Sequence, residues 1–231
     1  MSKPTVIMTG THTDARLEHL GLNIVSVPVI RTEKLQVAAD AFTGSYDWII
    51  FTSRNAVKFM VPEIESIDFK HVASIGRKTS GELGRLGITP DFEAEVFSQE
   101  GFIDKFPSRN GSNILYPASR QRRKKLEDYL VSQGCTLNAV DLYQAVTDEA
   151  SIDQLFKQLN DADAITFASP SAVKAVMTDS RANEFNFNTK VIVAIGPVTE
   201  RALNEYNIQA ISPTTYTNDA MIELLRRKFE V

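Results

Sequence analysis

Apolar residues along the chain fall into short β-favouring runs, most of them followed by a stretch with helical apolar spacing. Thr5-Val6-Ile7-Met8-Thr9 reads as a first strand, turned at Gly10 and followed by a short helix near residues 14–20 that Gly21 ends. Residues 23–30 read as a second strand. Pro28 argues against a central position for its far end, because proline has no N–H for the ladder. Residues 31–35 continue extended, and a linker or helix leads to Tyr46. Further on, 71–76 and 88–92 read as extended, while 79–86 and 99–106 read as helices. Strands are expected at 113–116, 137–146 and 190–197, with an extended piece at 210–213. Helices are expected at 120–133 (strongly basic), 151–159, 199–206 and 218–229. Short apolar strands alternating with helices predict an α/β protein with parallel sheets.

One phrase occurs twice. Asp47-Trp48-Ile49-Ile50-Phe51-Thr52-Ser53-Arg54-Asn55-Ala56-Val57-Lys58 is echoed by Asp163-Ala164-Ile165-Thr166-Phe167-Ala168-Ser169-Pro170-Ser171-Ala172-Val173-Lys174. Each runs from a buried strand through a tight turn to a helix start, with Ser53 or Ser169 at the N-cap. Pro170 suits the first helical position, where its missing N–H costs nothing. Residues 113–146 likewise echo 5–30, and Ser74-Ile75-Gly76-Arg77-Lys78-Thr79 echoes Ala194-Ile195-Gly196-Pro197-Val198-Thr199. Matches recurring in this way point to a duplicated unit. A strand feeding a helix leaves unpaired N–H donors at the strand's carboxyl edge, where anions bind. Two such edges suggest one anionic ligand held between two similar domains.

The 231 residues are enough for one large domain or two small ones. A net charge of −4 argues against nucleic acid as the main partner, without excluding a small anion. Cys135 is the one cysteine, so no intramolecular disulfide can form and a reducing compartment is expected. Met1-Ser2-Lys3-Pro4 leads into a strand-like run without an apolar signal core, and no apolar stretch approaches membrane-spanning length. A cytoplasmic protein without membrane association is expected.

Chemistry is sparse. His12, His19 and His71 lack metal-ligand spacing, so no metal is expected. Neither a Gly-x-Gly-x-x-Gly run nor a Gly-Lys-Ser/Thr phosphate loop is present, and Ser53 and Ser169 lack the glycines of a hydrolase elbow. Each serine reads either as a plain cap or as a ligand contact. Arg120, Arg122, Arg123, Lys124 and Lys125 form the densest basic run, a solvated helix face unless Arg120 meets a carboxylate. Thr79 and Thr199 could bond backbone in a first helical turn or offer hydroxyls to a ligand. Tyr143 lies in an apolar strand, where a packed ring with a satisfied hydroxyl is the plain reading. Cys135, with no basic neighbour in sequence, reads as inert.

Taken in order, Phe51-Thr52-Ser53 with Ala56-Val57, Phe167-Ala168-Ser169-Pro170-Ser171-Ala172-Val173, Ile195-Gly196-Pro197-Val198-Thr199 and Leu142-Tyr143-Gln144 resemble the uroporphyrinogen-III synthase family over nearly the whole chain. The chain departs from that family's pattern in three places. Thr9-Gly10-Thr11 stands where the family more often has Thr-Arg-Pro, the first helix looks short, and Arg54 occupies a position that is often proline. The resemblance implies two flavodoxin-like domains with parallel sheets, joined by a two-stranded antiparallel connection. One domain would comprise residues 1–33 plus 148–231, the other 34–147, with 31–35 and 142–146 crossing between them. It also implies a monomer that needs no cofactor or metal and closes the linear tetrapyrrole hydroxymethylbilane to uroporphyrinogen III, inverting ring D and losing water. Carboxylates of that substrate would meet donors around Ser53, Thr79, Ser169, Ser171 and Thr199, and Tyr143 would hydrogen-bond the departing hydroxyl. The rival expectation is a tetrapyrrole- or anion-binding regulatory module that keeps the fold without the reaction.

Overall fold

The computed structural model describes residues 3–10 and 21–231. The helix expected near 14–20, together with Thr11, His12 and His19, lies outside the described residues. In chain order the strands and helices are β1 (Thr5–Met8), β2 (Asn23–Ser26), β3 (Ile30–Lys34), β4 (Ser45–Phe51), α1 (Arg54–Met60), β5 (Asp68–Ser74), α2 (Arg77–Gly84), β6 (Phe92–Glu93), α3 (Gln99–Lys105) and β7 (Asn113–Ser119). They continue with α4 (Lys125–Ser132), β8 (Thr136–Thr147), α5 (Glu149–Gln158), β9 (Ala164–Phe167), α6 (Pro170–Met177), β10 (Val191–Ala194), α7 (Pro197–Asn204) and α8 (Asn218–Phe229).

The chain divides into two compact units, one of Met1–Arg31 with Val146–Val231 and the other of Thr32–Ala145. The first unit holds a four-stranded sheet in the order β10-β9-β1-β2, parallel throughout. Ile7, Ile165 and Phe167 enter the core on one face, with α5 and α6 residues such as Leu155 and Val173. Val6, Met8 and Val193 point the other way, onto Met221, Ile222 and Leu225 of α8. Both faces are covered, which is why these strands read as continuous apolar runs.

The second unit's sheet runs β3-β8-β7-β4-β5-β6. The pairs from β8 through β6 are parallel. Ile49, Phe51 and Leu115 pack with α1 residues, while Ile50, Ile114 and Tyr116 face Phe102 of α3 and Leu126 and Leu130 of α4. β3 and β8 carry the chain across the division. Leu35 N–H donates to Leu142 O at 2.9 Å and Asp148 N–H to Val29 O at 2.9 Å. Residue numbers fall on one strand as they rise on the other, the antiparallel pattern.

The duplication is visible in the strand order. β7, β8, β4 and β5 take the places in the second sheet that β1, β2, β9 and β10 take in the first, matching the sequence echoes. A second match was not visible in the sequence. Ser80 Oγ, on α2, donates to Glu93 Oε2 at the end of β6. At the equivalent place Ser212 Oγ donates to Glu200 Oε2 of α7 at 2.7 Å. The hydrogen bond is repeated with donor and acceptor exchanged.

Several predicted elements are corrected. The basic helix begins at Lys125, not Arg120. β7 runs to Ser119, Arg120 N–H is held by Tyr143 O at 2.8 Å, and the next residues form a turn. In that turn Arg122 is bonded to Glu127, Asp141 and Ser119 O, while Arg123 and Lys125 reach Glu100. Glu100's carboxyl is held down to about 2, first by its own backbone and then by Arg123 and Lys125. α2 and α7 begin two residues before the expected Thr79 and Thr199. β2 stops at Ser26, two residues before Pro28.

Candidate active site at the carboxyl edges of the sheets

In the second unit the chain leaves β4 towards β5 and β6, then returns on the other side with β7 and β8. The strand order therefore reverses between β4 and β7, and ligands of open parallel sheets bind outside the carboxyl ends at such a point. Thr52 and Ser53 stand just beyond β4. Ser53 caps α1, its Oγ accepting from Ala56 N–H at 3.1 Å. The same Oγ lies 2.7 Å from the phenol oxygen of Tyr143, and Thr52 Oγ1 lies 3.2 Å from that of Tyr116.

Tyr143 reaches this place through a bulge. Ala118 pairs with Asp141 but Ser119 pairs with Tyr143, so one residue of β8 is left over. Leu142 and Tyr143, though adjacent in sequence, consequently enter the same core with Val140. Extra residues of this kind re-aim side chains beside functional sites. Burial pushes the Tyr143 phenol above its ordinary value, with Ser53's hydrogen bond opposing in part, and burial does the same to Tyr116. Ser53 and Tyr143 have two hydroxyl protons, of which their mutual bond uses one. The pair keeps one proton to donate, and at neutral pH the phenol is uncharged.

In the first unit the reversal falls between β1 and β9. Thr9 Oγ1 donates to Thr166 O at 2.8 Å there. Ser169 caps α6 by accepting from Ala172 N–H at 3.2 Å, and exposed Ser171 lies with its Oγ 2.9 Å from Ser169 Oγ. The two caps have matching extended backbones, φ −154° and ψ 154° at Ser53 against φ −167° and ψ 156° at Ser169.

The sequence-predicted residues are thus distributed between the units. Ser53 and Tyr143 are brought together in one unit, and Ser169 and Ser171 in the other. Thr79 and Thr199 occupy equivalent third positions of α2 and α7, but only 4% and 2% of them is exposed. Their hydroxyls lie inside the fold, not at its surface. Sequence reasoning missed Thr52 and Tyr116. Thr52's place in the repeated phrase was a signal, whereas Tyr116 looked like an ordinary strand aromatic.

Among the described residues no group of three or more His, Cys, Asp or Glu could hold a metal ion. Nor, among them, is any helix long and apolar enough to cross a membrane. Cys135 is buried and its thiol is pushed up by that burial.

Two parallel α/β units, each with a serine-capped helix start and a hydroxyl pair at its strand-order reversal, define a two-unit α/β protein with candidate ligand positions beyond its strand ends. A family model described as uroporphyrinogen-III synthase HemD matches residues 11–223, and the chain belongs to that family. It is 30% identical over 195 residues to a Methanothermobacter thermautotrophicus protein whose assignment as a uroporphyrinogen-III synthase is itself provisional, covering 78% of this chain and 77% of that one. Among solved structures, uroporphyrinogen-III synthetase from Helicobacter pylori has a TM-score of 0.68 at 16% identity, covering 97% of this chain and 99% of that one. A mutant uroporphyrinogen III synthase from Thermus thermophilus has a TM-score of 0.60 at 19% identity, with 98% of each chain covered. These two likenesses concern the fold.

Proposed function

We propose that this protein converts hydroxymethylbilane to uroporphyrinogen III with loss of water. The observation that carries the reading beyond family membership is the Ser53–Tyr143 hydroxyl pair, 2.7 Å apart at the point of strand reversal. The terminal hydroxyl of the substrate accepts the spare proton of that pair and departs as water, leaving an electrophilic azafulvenium cation. The substituted carbon of ring D attacks it, giving a spiro intermediate that fragments and recloses with ring D inverted. A ring proton lost at closure restores the hydroxyl pair. The sequence is redox-neutral, so it calls for no electron carrier, and we infer that no cofactor takes part.

Because the substrate closes unaided to the uninverted isomer, holding one conformer matters as much as proton donation. Carboxylates of the substrate are assigned to donors at the first turns of α2, α6 and α7, with Ser169 and Ser171 supplying hydroxyls. Burial of Thr79 and Thr199 favours a part for them in shaping those turns rather than in direct contact.

The deciding experiment supplies hydroxymethylbilane to the purified protein, with no added metal or cofactor, and separates the products. Mainly type III isomer is expected. Type I product alone, at the uncatalysed rate, would overturn the reading and leave a binding module.

A further inference from the structure

In each unit one exposed aromatic ring lies against the glycine between a strand and the helix that follows it. Phe97 is 57% exposed and Tyr216 61%. A Cβ on Gly76 would stand 2.8 Å from Cδ1 of Phe97, and one on Gly196 would stand 3.0 Å from Cδ1 of Tyr216. Both glycines therefore leave room for a ring. Gly76 follows β5 and Gly196 follows β10, at equivalent positions of the duplicated unit. Each aromatic is followed at once by a helix cap, Ser98 for α3 and Thr217 for α8.

Nothing in folding asks for this arrangement. Packing on a glycine does not require a large ring left mostly in water, which exposes apolar surface. The neighbours differ between the copies, Val96 and Ser98 against Thr215 and Thr217, yet the exposed ring is present in both. Both rings stand at the carboxyl edge where the hydroxyl pairs lie. Ile75 N–H, one residue before Gly76, donates to Phe51 O at 3.1 Å, which places Gly76 one strand from Ser53. Ile195 N–H donates to Phe167 O at 2.9 Å in the same way, one strand from Ser169.

Charge narrows the ligand. The Arg77 guanidinium lies 5.9 Å from the Phe97 ring centre, exposed at the first residue of α2. An aromatic face beside a cation suits a flat, electron-rich ring that carries carboxylates, which describes each pyrrole of the proposed substrate. At the equivalent place the first unit has Pro197 instead of an arginine, and there the contact rests on the ring face of Tyr216 alone.

Resting on the function proposed above, we propose that Phe97 and Tyr216 are substrate-binding residues, each offering its exposed face to a pyrrole ring within its own unit. Arg77 takes a carboxylate of the pyrrole on Phe97. Glycine backing holds both rings in place before the ligand arrives, so little is lost in ordering them.

The test uses Phe97→Leu and Tyr216→Leu, with Phe97→Tyr and Tyr216→Phe as controls that keep the ring. Uroporphyrin III, the stable oxidised octacarboxylate, is titrated against each by absorbance and fluorescence. KM and kcat for hydroxymethylbilane and the melting temperature are measured alongside. Each leucine variant should raise Kd and KM by roughly tenfold, with the ring-keeping variants within about threefold of wild type. Leucine and ring-keeping variants that behave alike would overturn the proposal, as would effects confined to melting temperature or oligomeric state. Wild-type turnover to type III product with Kd and KM unchanged in both leucine variants would overturn the ring contacts and leave the reaction standing. Wild-type protein that binds the porphyrin with the leucine-specific loss, but forms only type I product, would remove the reaction and leave the contacts. Wild-type protein that neither binds nor turns over would overturn both.

Discussion

Tyr143 and Ser53 lie 90 positions apart in the chain and are joined by a single 2.7 Å hydrogen bond. Tyr143→Phe keeps the ring, including its place 5.5 Å from the Phe59 ring, and deletes the proton. Positioned proton donors are typically worth roughly 10² to 10⁴ in rate, so turnover should fall by up to about that factor while the fold survives. Near-normal turnover to type III product would reduce Tyr143 to a packing residue and leave catalysis to positioning. The phenol's raised value fixes the pH dependence of the wild type. The acting form is the protonated one, present below the phenol's own pKa and lost as pH rises through it. A rate that needs this proton should therefore hold through neutral pH and decline only above the ordinary phenol range, and this alkaline limb should vanish in Tyr143→Phe. A pH–rate profile of both proteins checks it. Ser53→Ala should cost about 1 kcal/mol of stability through the lost cap of α1, read as a lower melting temperature, besides its effect on rate.

At the scale of elements, the duplicated unit makes its own controls. The Ser80–Glu93 bond on α2 and β6 and the Ser212–Glu200 bond on α7 perform one task with the residue types exchanged. Both tie a helix to the extended segment that follows it. Ser80→Ala and Glu93→Gln should each destabilise by about 1 kcal/mol, given that both side chains are partly solvated. The double variant should cost less than the two together, by roughly 0.5–1 kcal/mol, as urea unfolding of the four proteins would show. Strict additivity would mean the pair contributes nothing as a pair. The basic stretch shows the limit of element-level reading. Its composition looked helical from Arg120, but the helix waits until Lys125 because Arg120 N–H belongs to the β8 ladder and Arg122 is held by Asp141 and Glu127.

For the whole molecule, each unit has its own pair of cores on the two faces of its sheet. Phe51 and Phe167 are fully buried at equivalent positions, one in each unit. Phe51→Ala and Phe167→Ala should each cost about 3–5 kcal/mol. Hydrogen exchange should then show protection lost mainly in the unit that carries the substitution. Uniform loss across both units in both variants would mean that they open together.

The sequence by itself determined what local pattern can carry. Continuous apolar runs gave the buried strands, and Asn218–Phe229 was legible residue for residue as α8. Ser53 and Ser169 announced two caps, because a cap is a contact between residues three apart in sequence. The echo of phrases revealed the duplication before any strand order was known. Only the tertiary structure decided which distant residues meet. The bulge that turns Tyr143 onto Ser53 depends on register against β7, and register is a property of two strands rather than of either. Tyr116 meeting Thr52 and the exchanged Ser–Glu bond required the sheet order. So did the packing of Phe97 and Tyr216 on Gly76 and Gly196, which no local pattern marks. Short-range hydrogen bonding and apolar periodicity are written along one chain, whereas hydroxyl pairs and ring contacts arise between strands whose neighbours only folding selects.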